Sequence, residues 1–275
     1  MIFDLHTHSN ASDGLLSPAN LLDLAVHTGL RGLALTDHDT LDGWSAAKLY
    51  HEQAGLPLAL LLGIELNTEF EGEEVHILGY GIDGQHPALC ARLAELRCLR
   101  RERAAKMVEQ LQKIGLQITM EAVEKRSQGN QIGRPHVAMV LVDQGYTVSI
   151  AQGFKEYLAK GRPGYVPRYE FEPDEAIALI KAASGLPVLA HPGLIRRQSQ
   201  LEDILAMGVK GIECYYPKHS WQQTRYYRQL AENRELAITG GSDFHGAGSG
   251  ESRDILGVTG LREEDFKIFF GKIKS

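Results

Sequence analysis

The chain is poor in cysteine and has no long apolar run. Cys90, Cys98 and Cys214 are its three cysteines, and no C-x-x-C joins them. That argues against a disulfide framework or a zinc ribbon and predicts reduced thiols that pack as small buried hydrophobes. No apolar stretch approaches the roughly 18 residues of a membrane span, so a globular soluble chain is expected. The start, Met1-Ile2-Phe3-Asp4, leads straight into a polar motif without a signal-peptide pattern, which predicts a cytoplasmic protein. The motifs G-x-S-x-G, H-E-x-x-H and the Walker P-loop are all missing. Their absence removes the common serine-nucleophile, zincin and P-loop chemistries. Neither an internal repeat nor a low-complexity tract is present, so a solenoid is excluded too. What remains for 275 residues with 43% hydrophobic content is one α/β domain, or one domain carrying an insertion.

The chain does hold nine metal-type side chains scattered over its length: His6, His8, Asp13, His38, Glu65, His76, His191, Asp243 and His245. Most of them end a strand-like apolar run. Phe3-Asp4-Leu5-His6-Thr7-His8 alternates, so a strand there puts His6 and His8 on one face. Imidazole nitrogens and carboxylate oxygens without a thiolate suit zinc, manganese or iron and do not choose between them. Nine ligands exceed what one ion takes, which predicts a cluster of two or three divalent ions. Asp13, in the loop Ser9-Asn10-Ala11-Ser12-Asp13-Gly14, also fits an ordinary turn residue. Asp37 and Asp39 flank His38 and are expected to orient neighbouring imidazoles or to cap the helix that begins near Leu41. His27, His51 and His86 are assigned no role.

Charge is unevenly spread. Residues 92–165 carry thirteen Lys/Arg against seven Asp/Glu, while the chain as a whole has a net charge of -6. An acidic body suits cations and a basic segment suits phosphate, although Arg92, Arg97, Arg100, Arg101, Arg103 and Lys106 also fit the solvated face of a helix. Strands are predicted at 2–6, 31–36, 58–66, 74–80, 187–190, 209–214 and 236–239. Helices are predicted at 18–28, 41–54, 173–183, 200–207 and 220–233. The alternation argues for a mainly parallel sheet or barrel with its site at the strand C-terminal ends. Glu69 to Glu73 is too short for a crossover helix, so the third and fourth strands should be antiparallel or bent. Residues 86–166 show only helical spacing and turns.

His6-x-His8 with Asp13, Thr36-Asp37-His38-Asp39, Gly63-Ile64-Glu65, Val75-His76-Ile77, Ala190-His191-Pro192 and Gly241-Ser242-Asp243-Phe244-His245-Gly246 together resemble the ordered motifs of the PHP (polymerase and histidinol phosphatase) family. Gly133-Arg134-Pro135-His136 and Glu213-x-Tyr215-x-x-x-His219 are similar to its stand-alone branch, which includes nucleotide 3',5'-bisphosphate phosphatases and 5'-to-3' exonucleases acting on short RNA.

The resemblance implies an α/β fold, a distorted (β/α)7 TIM-like barrel formed by 1–85 and 167–275, with 86–166 a helical insertion covering the active-site mouth. It implies a trinuclear site in which one ion takes His6, His8, Glu65 and Asp243, a second Glu65, His76 and His191, and a third Asp13, His38 and His245. Manganese is the expected metal, with zinc and iron as alternatives. Catalysis is assigned to a metal-bound water, with His136 and His219 as helpers. Arg134, His136 and His219 are the expected substrate-binding residues, Arg134 because a guanidinium forks onto phosphate oxygens. The expected partner is a small phosphorylated substrate, a nucleotide or short single-stranded RNA, with neither a membrane nor an obligatory protein partner. Hydrolysis of the 3'-phosphate of a nucleoside 3',5'-bisphosphate is the leading activity. Histidinol phosphate or another small phosphomonoester is the alternative within this chemistry. A metal-dependent amidohydrolase and a non-catalytic metal module are the alternatives outside it.

Overall fold

The structure, a computed structural model, describes residues 2–127, 131–247 and 254–274. Local chemistry sets the element ends. Ser17 caps the first helix by accepting from Asn20 N, with Pro18 in the opening turn, and Ser220 forms a reciprocal capping box with Gln223 ahead of Trp221. The strands are β1 (Ile2–Thr7), β2 (Gly32–Leu35), β3 (Ala59–Phe70), β4 (Glu73–Tyr80), β5 (Leu186–Leu189), β6 (Gly211–Tyr215), β7 (Ala237–Gly240) and β8 (Leu261–Arg262). They form one sheet in the order β7-β6-β5-β4-β3-β2-β1-β8. The helices are α1 (Pro18–His27), α2 (Asp42–Ala54), α3 (Pro87–Lys113), α4 (Met120–Ser127), α5 (Arg134–Asp143), α6 (Ile150–Gly153), α7 (Pro173–Ala182), α8 (Gln200–Ala206), α9 (Trp221–Asn233) and α10 (Glu263–Lys274).

Strand β4 is reversed, antiparallel to both β3 and β5, and the short β8 runs antiparallel to β1. The β3–β4 turn is the two-residue pair Glu71-Gly72, both at positive φ (49° and 81°), as a primed hairpin turn requires. The sheet curls until its β7 end meets β1: Asp243 N donates to His6 O at 2.8 Å and His8 N to Phe244 O at 2.9 Å. A Cβ on Gly241 would lie 2.3 Å from His6 N, so only glycine permits this approach. The result is a nearly closed barrel, as the sequence predicts, with an eighth short strand and α10 that the sequence reading did not include.

Ile64, Leu66, Ile77, Leu189, Ile212 and α7 residues make one core on the outer side of the strands. A separate core joins α3, α4 and α5 with the π-helical turn Phe154–Leu158, through Met107, Leu111, Val123, Val137, Leu141 and Leu158. Two of the cysteines depart from expectation. Cys90 and Cys98 are exposed on α3, and only Cys214 is buried. The helix turns its leucines Leu89, Leu93 and Leu96 inward and leaves those two positions outside. The arginines of the same helix divide: Arg97 and Arg101 form surface ion pairs with Asp42 and Glu124, whereas Arg100 is mostly buried against Asp39.

Candidate metal centre and the adjoining cavity

All nine predicted ligands converge at one end of the barrel, and Glu65 is their hub. Its Oε1 lies 2.9 Å from His76 Nδ1 and 3.0 Å from His191 Nε2. Its Oε2 lies 3.2 Å from His6 Nε2, 3.3 Å from His8 Nε2 and 3.0 Å from His38 Nδ1. Asp243 Oδ1 is 3.4 Å from His6 Nε2 and 3.1 Å from His8 Nε2. Asp13 is a member of the site rather than a plain turn residue: its Oδ1 is 3.3 Å from His245 Nε2 and its Oδ2 is 3.9 Å from His38 Nε2.

Ligand atoms lie within 4.8 Å of one another in three sets: His6, His8, Glu65 and Asp243; His8, Asp13, His38 and His245; and His38, Glu65 and His76. The first matches the expected division. The second adds His8, and the third has His38 where His191 was expected, although His191 meets the same Glu65 oxygen.

Six buried atoms of this cluster make no hydrogen bond: His6 Nε2, both ring nitrogens of His8, His38 Nδ1, Asp13 Oδ1 and Glu65 Oε2. An unsatisfied buried polar group costs about 1–3 kcal/mol, and atoms of this kind facing one point are what a cation satisfies. The donor set of imidazoles and carboxylates therefore fits divalent ions. Burial alone would raise the carboxyls of Glu65 and Asp243, but the surrounding imidazoles hold both well below the usual carboxylate range. His38, which burial would lower, is raised to about 9 by Glu65 and Asp13. Metal loading must displace that proton.

Strained backbone occurs at two of these ligands and at Asp39, next to His38. Asp39, His191 and Asp243 adopt positive φ values of 51°, 27° and 55°. Each such residue costs about 1–3 kcal/mol, which the packed barrel sustains. Glu213 is a positioning residue that the sequence reading left out of the site. Its Oε1 is 2.9 Å from His6 Nδ1 and its Oε2 accepts from His191 N at 2.8 Å, so one carboxylate orients two ligands from different strands. Glu213→Gln is expected to weaken metal affinity by about 10–100-fold with the melting temperature of the apo-protein nearly unchanged. Titration with manganese and a thermal melt check it, and unaltered affinity would remove Glu213 from the metal's support.

Asp37 and Asp39 do neither of their expected jobs. Asp37 accepts from Ser9 N, Ser9 Oγ and Ser12 Oγ, each at 2.7 Å, and so pins the loop that carries Asp13. Asp39 takes the Arg100 guanidinium and Asn67 N. Two expected substrate residues are likewise engaged with backbone. His136 is buried at the start of α5, with Nδ1 accepting from Gly133 N at 3.0 Å. His219 donates from Nδ1 to Cys214 O at 3.0 Å and accepts from Gly193 N at 3.1 Å on Nε2, which braces the turn after His191. Arg134 does reach the open space beside the ligands, where it pairs with Glu74 and lies over the Phe154 ring at 5.5 Å.

That space is a cavity of about 100 Å³ lined by the ligands Asp13, His38 and His76 and by Arg100, Arg103, Arg134 and Arg168. Four guanidiniums share it with two carboxylates, Glu74 and the candidate metal ligand Asp13. Arg100 and Arg134 are neutralised by Asp39 and Glu74. Arg103 donates to Val166 O and Arg168 to Thr68 O, and among the described residues neither has a carboxylate in ion-pair contact. Burial, then the like charges of Arg168 and Arg134, pull Arg103 down to about 10. Such crowding of like charge suits an anion.

A family model described as the PHP domain matches residues 4–203. The chain belongs to the PHP family. It is 36% identical over 250 residues to the 5'-3' exoribonuclease Rnm of Escherichia coli, covering 89% of this chain and 85% of that protein. It is also 36% identical over 260 residues to a 3',5'-nucleoside bisphosphate phosphatase of Chromobacterium violaceum, covering 92% and 90%. Among solved structures, a putative metal-dependent phosphoesterase from Bifidobacterium adolescentis superposes with a TM-score of 0.89 at 30% identity over 98% of this chain and 96% of its own. This PHP protein is accordingly a metal-dependent hydrolase of phosphoester bonds.

Proposed function

We propose that this PHP enzyme removes the 3'-phosphate of nucleoside 3',5'-bisphosphates and, by breaking the same kind of bond, trims short 5'-phosphorylated RNA from its 5' end. The observation that carries this reading is the arginine-lined cavity opening directly onto Asp13, His38 and His76. Its volume of about 100 Å³ is that of roughly three waters, the scale of a phosphate group rather than a nucleotide. A 5'-phosphate held there by Arg103 and Arg168 leaves the nucleotide's 3'-phosphate to fall on the nine-residue cluster, so remote binding energy aligns the reacting group. When bound, divalent ions supply charge neutralisation and an activated water at neutral pH. A hydroxyl is transferred from water to phosphorus, the bond from phosphorus to the 3' oxygen breaks, and that oxygen leaves with a proton. Whether the phosphate carries a downstream chain decides between phosphatase and exonuclease action, and both activities occur in the names of the relatives.

Manganese is the proposed ion, with zinc and iron as alternatives, since the ligand set lacks thiolate. The nine residues hold it. Residues 86–166 act as the cover of the barrel mouth, contributing Arg100, Arg103, Arg134 and Phe154 to the cavity wall. The enzyme is taken as cytoplasmic because its cysteines are free thiols; among the described residues no helix is long and apolar enough to cross a membrane. Histidinol phosphate and simple phosphomonoesters match the cluster but leave the arginines unused, and acyl substrates use the metal-activated water but gain little from a third cation or from the arginines.

The test is a substrate panel on manganese-loaded protein: a nucleoside 3',5'-bisphosphate, the 3'-monophosphate, histidinol phosphate and an acyl amide. The bisphosphate should exceed the 3'-monophosphate in kcat/KM by about 10–100-fold, the worth of a charge-assisted contact. Equal rates on the two nucleotides, or faster histidinol phosphate turnover, would overturn the reading.

A further inference from the structure

We propose that the exposed face of α9, together with the turn after His191, is a stacking platform for the single-stranded RNA that lies downstream of the scissile phosphate. The inference rests on the nucleotide reading above and adds a site outside the metal centre. Its first support is continuity with that centre. From His191, ring centroids run to Tyr216 at 5.2 Å, His219 at 5.2 Å, Tyr227 at 5.0 Å and Tyr226 at 5.3 Å. His191, Tyr216 and Tyr227 are buried, His219 is half-buried, and Tyr226 emerges at the surface. Gly193 and Leu194, immediately after His191, line a shallow groove of about 520 Å³ with Gln222, Tyr226 and Tyr227. Gln222 and Tyr226 also line a second groove of about 430 Å³ that holds Trp221 and Arg225. The two grooves therefore form one path away from the site.

The second support is what lies along the path. Trp221 is 70% exposed, Tyr226 52% and Leu194 47%, an unusual concentration of open apolar side chains for one helix end and its neighbouring turn. Arg225 lies over the Trp221 ring at 5.5 Å, which leaves its charge at the groove. Arg196 and Arg225 have no ion-pair partner among the described residues, and the acidic residue lining this face, Glu232, is already paired with Arg228 at 3.3 Å. On a chain of net charge -6, this face is locally cationic. Exposed rings interleaved with arginine and glutamine are the composition that stacks bases and follows a phosphate backbone without reading sequence. An acidic or purely apolar protein partner would match only half of it.

The arrangement divides the substrate on either side of the metal centre. The 5' end sits in the arginine cavity on the Asp13, His38 and His76 side, and the remaining chain leaves on the His191 side. Four ring-to-ring steps of at most 5.3 Å separate His191 from Tyr226. At a stacked rise of roughly 3.4 Å per nucleotide, these steps together span at most about six nucleotides. Affinity for 5'-phosphorylated RNA should therefore increase with length up to about that size and then level off.

The experiment compares wild type with the Trp221→Ala/Tyr226→Ala double variant, whose positions are exposed. Two readouts are taken: binding of a 5'-phosphorylated RNA octamer by fluorescence anisotropy in metal-free buffer, and kcat/KM on the octamer, on a dinucleotide and on the bisphosphate. The double variant should bind the octamer about 10-fold more weakly, raise its KM similarly, and leave turnover of bisphosphate and dinucleotide unchanged. Unchanged octamer affinity, or an equal loss on the bisphosphate, would overturn the platform. If wild type hydrolyses neither nucleotide, the nucleotide reading fails by itself, and the anisotropy still decides whether this face holds RNA.

Discussion

Glu65→Gln is expected to lower kcat/KM on every phosphate ester by about 10²–10³-fold, the scale of removing one charge-stabilising group from a reacting centre. It should also lower the bound metal by at least one ion. The cause is position: one carboxylate meets His76 and His191 through one oxygen and His6, His8 and His38 through the other. Glutamine keeps the shape and removes the charge, so the barrel itself should persist. Elemental analysis, circular dichroism and steady-state kinetics on one preparation check this. A folded variant with full metal content and more than a tenth of wild-type turnover would show that Glu65 is not the shared ligand.

The Arg103→Ala/Arg168→Ala double variant should lose about 10²-fold in kcat/KM on a nucleoside 3',5'-bisphosphate, on the order of one to two charge-assisted hydrogen bonds. On 4-nitrophenyl phosphate, which has a single phosphate, the loss should stay within about threefold. Arg134→Ala should cost less than the pair, because Glu74 already neutralises Arg134, and Arg134 and Arg168 together hold the Glu74 carboxyl down to about 2. Kinetics of the three proteins on both substrates decide it. Equal losses on the two substrates would mean that these arginines support the fold and do not grip a second phosphate.

The candidate metal ligands were legible because most of them follow or end a strand-like apolar run, where alternation and ligand chemistry coincide. The reversed strand was legible as well, since a link as short as Glu69 to Glu73 cannot cross a barrel, and the Glu71-Gly72 turn bears this out. Glu213 carried a signal that was not weighed: a carboxylate inside Gly-Ile-Glu-Cys-Tyr, an otherwise buried strand, needs a partner. Phe266, Phe269, Phe270 and Ile273 recur at helical spacing and pack on the barrel floor, so α10 was also within reach.

The arginines were not. Arg100, Arg103 and Arg134 read alike in sequence, and only the fold shows that Asp39 claims the first, Glu74 the third and no carboxylate the second. Arg168 lies outside the basic segment and reaches the cavity by way of the chain's path after α6. His136 and His219 show bonds of another kind. Their motifs suggest substrate contact, while their nitrogens answer to Gly133, Cys214 and Gly193 backbone groups that no sequence pattern specifies.

Nine side chains around one shared carboxylate should hold a cluster rather than a single ion. Metal content per chain, measured by elemental analysis on fully active protein after manganese loading and removal of free metal, tests it most directly. Two to three ions per chain, with activity lost on chelation and restored by manganese, is the expected result. At most one ion in a fully active sample would contradict it.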